Sequence, residues 1–194
     1  MATSTAPDTR RRILKHTLTL IGEHGIGAVS NRRVASAAGV ALGSLTYHFP
    51  SQTQLLREAL LLYVHDEVER LQQIASELRS SKPTAAEVAA EVQWIAETSS
   101  GRSEQVAELE LHLHAWRDPE LQDASARCFA AYEDLATVAL EALAVPDPAR
   151  HARTVVALMC GLGLRRLGTG ERDADGTAEA LLTIVRGASL PRSD

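Results

Sequence analysis

The stretch from Ser30 to Phe49 constrains the fold of this chain more than any other part of the sequence. Its spacing predicts two short helices joined by a tight turn. Ser30 can cap the first helix by accepting a backbone N–H bond, and Gly39 permits the left-handed backbone that ends it. Leu45 and Phe49, four residues apart, give the second helix an apolar stripe to bury. The second helix of such a pair has the shape that enters the major groove of DNA.

Candidate DNA contacts lie at the start of the first short helix and on the open face of the second. Arg32 has the donor geometry to bind guanine N7 and O6, although a phosphate contact or a solvated side chain is the alternative. Leu42 can pack against a thymine methyl group, and Gly43 allows the backbone to approach DNA closely. The full set of candidate DNA-binding residues is Ser30, Asn31, Arg32, Arg33, Leu42, Gly43, Ser44, Thr46, Tyr47, His48 and Gln52.

The sequence AAGVALGSLTYHFPSQTQLL, residues 37–56, resembles the pattern A-G-V-S-K-G-T-L-Y-Y-H-F-x-S-K-E-E-L of the tetracycline-repressor (TetR) family of bacterial regulators. The resemblance covers about the first third of the chain, and Leu42, Thr46 and Gln52 stand where the pattern has Lys, Tyr and Lys. It implies a helix-turn-helix DNA-binding domain that uses Arg32 to read bases. It also implies a larger helical domain that binds an effector and dimerises through its last helices.

Charge is distributed unevenly along the chain. Residues 1–56 hold six basic and two acidic residues, which leaves 14 of the 20 basic and 23 of the 25 acidic residues for the remainder. The overall net charge of −5 argues against nonspecific coating of nucleic acid. A basic head on an acidic body is typical of a DNA-reading module joined to a module of another kind.

Apolar residues recur at helical spacing along the whole chain, and no strand alternation is evident. The hydrophobic content of 45% with only 4% aromatic residues also favours an all-α fold. We expect about nine helices, among them a long helix that a capping box at Ser51 opens and another helix from Thr84 through Ile95. The predicted organisation is a disordered segment 1–7, a three-helix DNA-binding domain 8–52, and a helical effector-binding and dimerisation domain 53–190.

Large or polarisable side chains in the predicted body are candidates for lining an effector pocket, although aromatic residues at helical spacing are more often plain core. These candidates are Trp94, His112, Trp116, Phe129, Tyr132 and Met159. Small and apolar residues of the last two helices are candidates for a dimer interface, with closure of the monomer's own core as the alternative. They are Val156, Cys160, Gly163, Leu181 and Ile184.

Other kinds of site find little support in the sequence. On a helix, Glu108 would share a face with His112 and Glu110 with His114, which separates the four candidate metal ligands into two pairs. No nucleotide-binding or hydrolase motif is present, so we expect neither an enzyme nor a cofactor. Cys128 and Cys160 lie in apolar helical patterns, which indicates buried reduced thiols. No apolar run is long enough to span a membrane, and the first residues lack a secretory signal.

Together these features predict a cytoplasmic, homodimeric transcriptional regulator, more specifically a repressor. It would bind a palindromic double-stranded DNA operator and be released by an unidentified small-molecule effector. The alternative is a helical small-molecule-binding module that has lost specific DNA recognition. The departures at Leu42 and Thr46 favour that alternative.

Overall fold

The computed structural model describes residues 6–81, 84, 87, 102–170 and 174–188. Those residues form α-helices and one short 3₁₀ turn, Ile26–Ala28, and none of them lies in a strand, which confirms the all-α prediction. The α-helices are α1 Ala6–His24, α2 Asn31–Ala37, α3 Leu42–His48, α4 Gln52–Ser81, α5 Arg102–Ala115, α6 Pro119–Ala142, α7 Pro148–Thr169 and α8 Ala174–Ala188.

The described residues therefore hold eight α-helices, one fewer than the nine predicted from the sequence. The missing one is the helix predicted from Thr84 through Ile95, most of which lies outside the described residues. Its predicted capping box is present. The Thr84 hydroxyl accepts a bond from the Glu87 N–H at 3.4 Å, and the Glu87 carboxylate accepts one from the Thr84 N–H at 2.7 Å.

Proline marks the start of both α6 and α7, but the aspartate before each proline behaves differently. The Asp118 carboxylate accepts bonds from the N–H groups of Glu120 and Leu121 at 3.1 and 3.4 Å, which caps α6. Asp147 has a φ of 49° and makes no side-chain capping bond to α7. The fixed φ of Pro148, rather than an aspartate cap, is therefore the local signal for the start of α7.

Three details differ from the sequence-based expectations. Helix α1 begins at Ala6, inside the segment 1–7 that was predicted to be disordered, and residues 1–5 lie outside the described part. Cys160 is exposed, whereas only Cys128 is buried as expected. Gln54 completes half of its predicted capping box: its N–H donates to Ser51 Oγ, while its side chain donates to Glu58.

The described chain divides into two compact units, whose boundaries fall within α4 and α6. The first unit contains the residues up to Asp66 together with Arg102–Ser125, so it combines α1, α2 and α3 with α5 and parts of α4 and α6. Helix α1 packs against α2, α3 and α5. The fully buried side chains of this unit include Ile13, Ile21, Leu45, Phe49, Leu55 and Leu111. Burial of this apolar area is its main source of stability.

The second unit contains the remaining parts of α4 and α6 together with α7 and α8. One apolar cluster joins Leu71 and Ala75 of α4 to Ala131, Leu135 and Val138 of α6. A second cluster, around Leu140, Val145 and Ala152, closes the corner between α6 and α7, and Val185 and Ala188 of α8 pack against it.

Beside the first of these clusters, the carboxylate of Glu67 accepts three hydrogen bonds. Tyr132 Oη donates to it at 2.7 Å, and Arg70 donates through Nε at 2.9 Å and Nη2 at 2.7 Å. Burial alone would raise the pKa of this carboxyl group, but the bonds from Arg70 and Tyr132 outweigh burial and hold the pKa below its ordinary value of 4.5.

Gly22 permits the close approach of α1 and α5. A Cβ atom at this position would lie 2.4 Å from the carbonyl oxygen of Ser103. Alanine would add about 1 kcal/mol of helix propensity, but overpacking against backbone costs about 1–3 kcal/mol. We expect Gly22→Ala to lower the free energy of unfolding in urea, while Gly27→Ala, where a Cβ meets nothing within 4 Å, should not. Equal stability of the two variants would contradict this packing.

The Glu67 network predicts a pH-dependent contribution to stability. Because the pKa of Glu67 is lower in the folded than in the unfolded chain, the ionised carboxylate stabilises the fold above the ordinary pKa of 4.5, and this contribution is lost as the pH falls through the folded pKa. Tyr132→Phe should therefore cost about 1.5–3 kcal/mol at neutral pH and less in acid. Urea unfolding at neutral and acidic pH measures this difference.

The matched control is Thr137→Val, which removes a hydroxyl that donates to the backbone carbonyl of Glu133 at 2.8 Å. Its acceptor does not titrate, so the cost of this substitution should stay constant over the same pH range. A Tyr132→Phe cost that is equally insensitive to pH would show that the tyrosine does not stabilise an ionised Glu67.

Candidate nucleic-acid interface

The turn between α2 and α3 has the geometry that the sequence predicts. The Ser30 hydroxyl accepts a bond from the N–H of Arg33 at 3.4 Å at the start of α2. At its end, Gly39 adopts a φ of 64°, and the N–H of Val40 donates back to the carbonyl of Ala35 at 3.0 Å. Together with the bond from the N–H of Gly39 to the carbonyl of Ser36 at 3.2 Å, this bond satisfies two of the last carbonyl groups of α2 and redirects the chain. The start of α3 is therefore fixed relative to α2.

One face of the α2–α3 pair is sealed against the first unit. Val34 and Ala35 of α2 are 0% and 4% exposed, and Leu45 and Phe49 are both fully buried. Because Leu45 and Phe49 are four residues apart, they fix the rotation of α3 about its own axis. The other residues of α3 are then exposed or half-buried.

The outward face of α3 is open to solvent. Tyr47 is 83% exposed and Leu42 is 42% exposed, although both are large side chains that soluble proteins more often shelter. Gly43 and Thr46 are also exposed, whereas Ser44 and His48 are half-buried. The rings of Tyr47 and His48 meet edge to face with their centroids 5.4 Å apart, which orders this part of the surface. An exposed helix of this kind can lie against a groove of DNA.

Several of the predicted DNA contacts are already hydrogen-bonded within the protein. Arg33 Nη1 donates to the carbonyl of Ala28 at 2.9 Å, and Gln52 Nε2 donates to the carbonyl of Val29 at 2.7 Å. The Thr46 hydroxyl donates to carbonyl groups of its own helix. Each of these three exposed side chains therefore has one polar group that is already bonded within the protein.

Arg32 and Asn31 occupy the first turn of α2. Arg32 is exposed, so its guanidinium group can reach a ligand outside the protein, and Asn31 is half-buried. Ser30 is half-buried and is engaged as the helix cap. Within the predicted DNA-binding set, Arg32, Leu42 and Tyr47 are exposed, and their contact with DNA stays a prediction.

The N-terminal arginines have partners that the sequence did not reveal. Arg10 pairs with Glu58 of α4, and its guanidinium carbon lies 5.2 Å from the centre of the Phe49 ring. Arg11 Nη2 lies 2.7 Å from the Asp66 carboxylate. These two ion pairs join α1 to α4.

The candidate effector residues are distributed over the two units, and Trp94 lies outside the described residues. His112 and Trp116 belong to the first unit, whereas Phe129, Tyr132 and Met159 belong to the second. His112 Nδ1 lies 2.8 Å from Ser125 Oγ, and the Trp116 side chain is 79% exposed. Phe129, Tyr132 and Met159 are half-buried. A pocket formed by these residues remains a prediction.

The candidate dimer residues differ in their accessibility. Val156 is only 7% exposed and packs inside its own protomer, so it offers little surface to a partner. Cys160 is exposed, and Gly163, Leu181 and Ile184 are half-buried. Two large apolar residues beside them, Leu164 and Leu182, are 55% and 48% exposed and were not selected from the sequence. Their exposure could not be inferred from the apolar pattern alone.

Two comparisons with protein families cover most of the chain. Residues 13–59 match the family described as bacterial regulatory proteins, tetR family. Residues 82–188 match the tetracyclin repressor-like C-terminal domain.

Curated relatives match about a third of the chain. The transcriptional repressor KstR of Rhodococcus jostii is 42% identical over 60 residues, which are 31% of this chain and 28% of that protein. The transcriptional regulator PksA of Bacillus subtilis is 35% identical over 66 residues, which are 34% of this chain and 32% of that protein. The chain thus spans about a third or less of the length of these two relatives.

Solved structures match over nearly the whole chain. SCO7518 from Streptomyces coelicolor A3(2) is 32% identical with a TM-score of 0.64, covering 92% of this chain and 99% of that chain. The multidrug binding protein EbrR, solved with ethidium, is 28% identical with a TM-score of 0.65, covering 91% of this chain and 98% of that chain. The turn between α2 and α3 and the buried stripe of α3 agree with both family matches. The chain belongs to the tetracycline-repressor family of bacterial regulatory proteins.

Proposed function

We propose that this protein is a transcriptional repressor that binds a palindromic operator as a homodimer and leaves it when a small-molecule effector binds. The observation that carries the proposal is the orientation of α3. Its apolar stripe, Leu45 and Phe49, is fully buried, while Tyr47 on the opposite side is 83% exposed. A helix that is buried against the protein on one side and exposed on the other can fit into a groove of DNA. Such a regulator works in the cytoplasm, and no catalytic role is assigned to it.

The DNA-binding part comprises residues 8–52, and the part from residue 53 to residue 190 binds the effector and forms the dimer. Arg32 would bind a guanine or a phosphate from the first turn of α2. Leu42 would approach a thymine methyl group, and Tyr47 with His48 would contact the phosphate backbone. The remaining candidates support these contacts: Ser30, Asn31, Arg33, Gly43, Ser44, Thr46 and Gln52.

The repressor relative KstR and the ethidium complex of EbrR support the two halves of this proposal. KstR is a transcriptional repressor that shares 42% identity with this chain over 60 residues, which favours operator recognition. EbrR resembles almost the whole chain, which favours a small organic effector. Phe129, Tyr132 and Met159, half-buried in the second unit, are our candidates for its first contacts.

The competing function is that of a small-molecule-binding module without specific DNA recognition. It is favoured by the internal bonds of Thr46 and Gln52, two of the positions at which the sequence departs from the family pattern. A gel shift with the DNA that flanks the protein's own gene distinguishes the two functions. A regulator gives a discrete band whose affinity falls steeply with salt, by about 10³-fold or more between 50 and 200 mM when six or more phosphates are contacted.

Substitution of the exposed side chains tests the assigned surface. We expect Arg32→Ala to weaken operator binding by about 5- to 150-fold, since a bidentate arginine–base contact contributes about 1–3 kcal/mol. Tyr47→Ala should also weaken binding, with a smaller dependence on operator sequence because it contacts phosphate. Fluorescence anisotropy with labelled operator measures both effects.

Arg127→Ala is the matched control, because Arg127 is an exposed arginine of the second unit. It should bind operator like the wild-type protein, and all three variants should keep the wild-type melting temperature and dimer mass. If Arg32→Ala and Tyr47→Ala both bound operator like the control, α2 and α3 would not form the DNA-binding surface.

The proposed dimer uses the outer surface of α7 and α8. A charge placed in an apolar interface between subunits must be buried without a partner, which is strongly unfavourable. We therefore expect Leu164→Glu combined with Leu182→Glu to yield monomers in light scattering coupled to size exclusion. Leu113→Glu, at an apolar residue of α5 that is 62% exposed, should leave the dimer intact. A dimer that survives the double substitution would place the interface elsewhere.

A further inference from the structure

A carboxylate of α5 reaches the turn that precedes the DNA-binding helices. The N–H of Ile26, the first residue of the 3₁₀ turn, donates to Glu110 Oε1 at 3.2 Å. The two residues are 84 positions apart in the sequence, so the bond joins elements that have no local reason to meet. The Glu110 side chain is only 20% exposed, which shields this charge-assisted bond from water.

The surrounding geometry keeps Glu110 in place. Helix α5 approaches α1 so closely at Gly22 that the backbone of Ser103 occupies the space of a side chain. After α1 ends, Gly25 adopts a φ of 75° and directs the N–H of Ile26 toward α5. A Cβ on Gly25 would be 3.8 Å from Glu110 Oε1, which is an ordinary contact. Glycine is therefore favoured here by its positive φ and not by a lack of space. On the other side, His114 Nδ1 lies 3.8 Å from Glu110 Oε2.

The 3₁₀ turn that Glu110 binds also positions the start of the DNA-binding motif. The carbonyl group of Ala28, the last residue of this turn, accepts the bond from Arg33 of α2. The carbonyl group of Val29, the next residue, accepts the bond from Gln52 of α4. Both carbonyl groups lie within three residues of Ile26. A displacement of Ile26 would therefore shift the first turn of α2, which carries Arg32.

We propose that Glu110 is a positioning residue that holds the turn before α2, and with it the first turn of α2 that carries Arg32. The proposal rests on the operator-binding function above. While the Glu110–Ile26 bond is intact, the turn and Arg32 are held in the conformation that binds DNA. Loss of the bond frees the turn, and ordering the turn on DNA then lowers operator affinity.

The test compares two substitutions at Glu110 with a neighbouring control. Glu110→Ala removes the acceptor, whereas Glu110→Gln retains an oxygen that can accept from Ile26. Glu108→Ala is the control, because Glu108 lies one turn from His112 on the same helix and its side chain is 21% exposed, close to the value for Glu110. Operator affinity is measured by fluorescence anisotropy, and the exchange of backbone amides in a peptide covering residues 25–33 is measured by mass spectrometry.

We expect Glu110→Ala to bind operator about tenfold more weakly and to exchange the amides of residues 25–33 faster. Glu110→Gln should recover most of the affinity, and Glu108→Ala should match the wild-type protein in both measurements. A loss of stability alone would speed exchange throughout the first unit and not only at residues 25–33. The proposal is wrong if Glu110→Ala matches Glu108→Ala in affinity, or if exchange at residues 25–33 is unchanged.

The exchange measurement also separates this proposal from the proposed function. If the wild-type protein bound no operator, the function would fail. Faster exchange confined to residues 25–33 in Glu110→Ala would still support the contact between α5 and the turn. If the wild-type protein bound operator and Glu110→Ala bound it equally well, only the positioning role of Glu110 would be wrong.

Discussion

The bond from the N–H of Val40 to the carbonyl of Ala35 determines how the second short helix leaves the first. It requires Gly39 in the left-handed region, because a side chain at that φ is strained. Once the turn is fixed, burial of Leu45 and Phe49 sets the rotation of α3. The exposure of its outer face is then a consequence of backbone geometry and core packing, and it exists before any DNA is bound. This preorganisation reduces the ordering cost of binding.

Polar side chains of the first unit are used largely to hold that unit together. Arg10 and Arg11 join α1 to carboxylates of α4, while Arg33 and Gln52 bind carbonyl groups of the turn before α2. Exposed ion pairs contribute little stability individually, typically below about 1 kcal/mol. Their more important effect is to neutralise positive charge that would otherwise attract phosphate groups. The proposed recognition of DNA would then depend on fewer exposed contacts, chiefly those of Arg32.

Local signals in the sequence were sufficient for the helix-turn-helix and for the all-α fold. Ser30 caps a helix that begins at the next residue, and Gly39 ends that helix, so the spacing of these residues was enough to identify their roles. Contacts between distant residues were not accessible in this way. Nothing near Arg10 indicates that Glu58, 48 positions later, would be its partner, and the same holds for the bond between Glu110 and Ile26. Exposure was equally hard to foresee, since an apolar helical pattern does not state which residues a partner will cover.

The central claim is that two copies of α3, each fixed by its buried stripe, enter successive major grooves on one side of the operator. Hydroxyl-radical footprinting of the wild-type protein on its operator tests this most directly. The account predicts two protected segments related by the operator's symmetry, with centres about 10–10.5 base pairs or a multiple of that apart. A single protected segment, or even protection along the whole fragment, would contradict it.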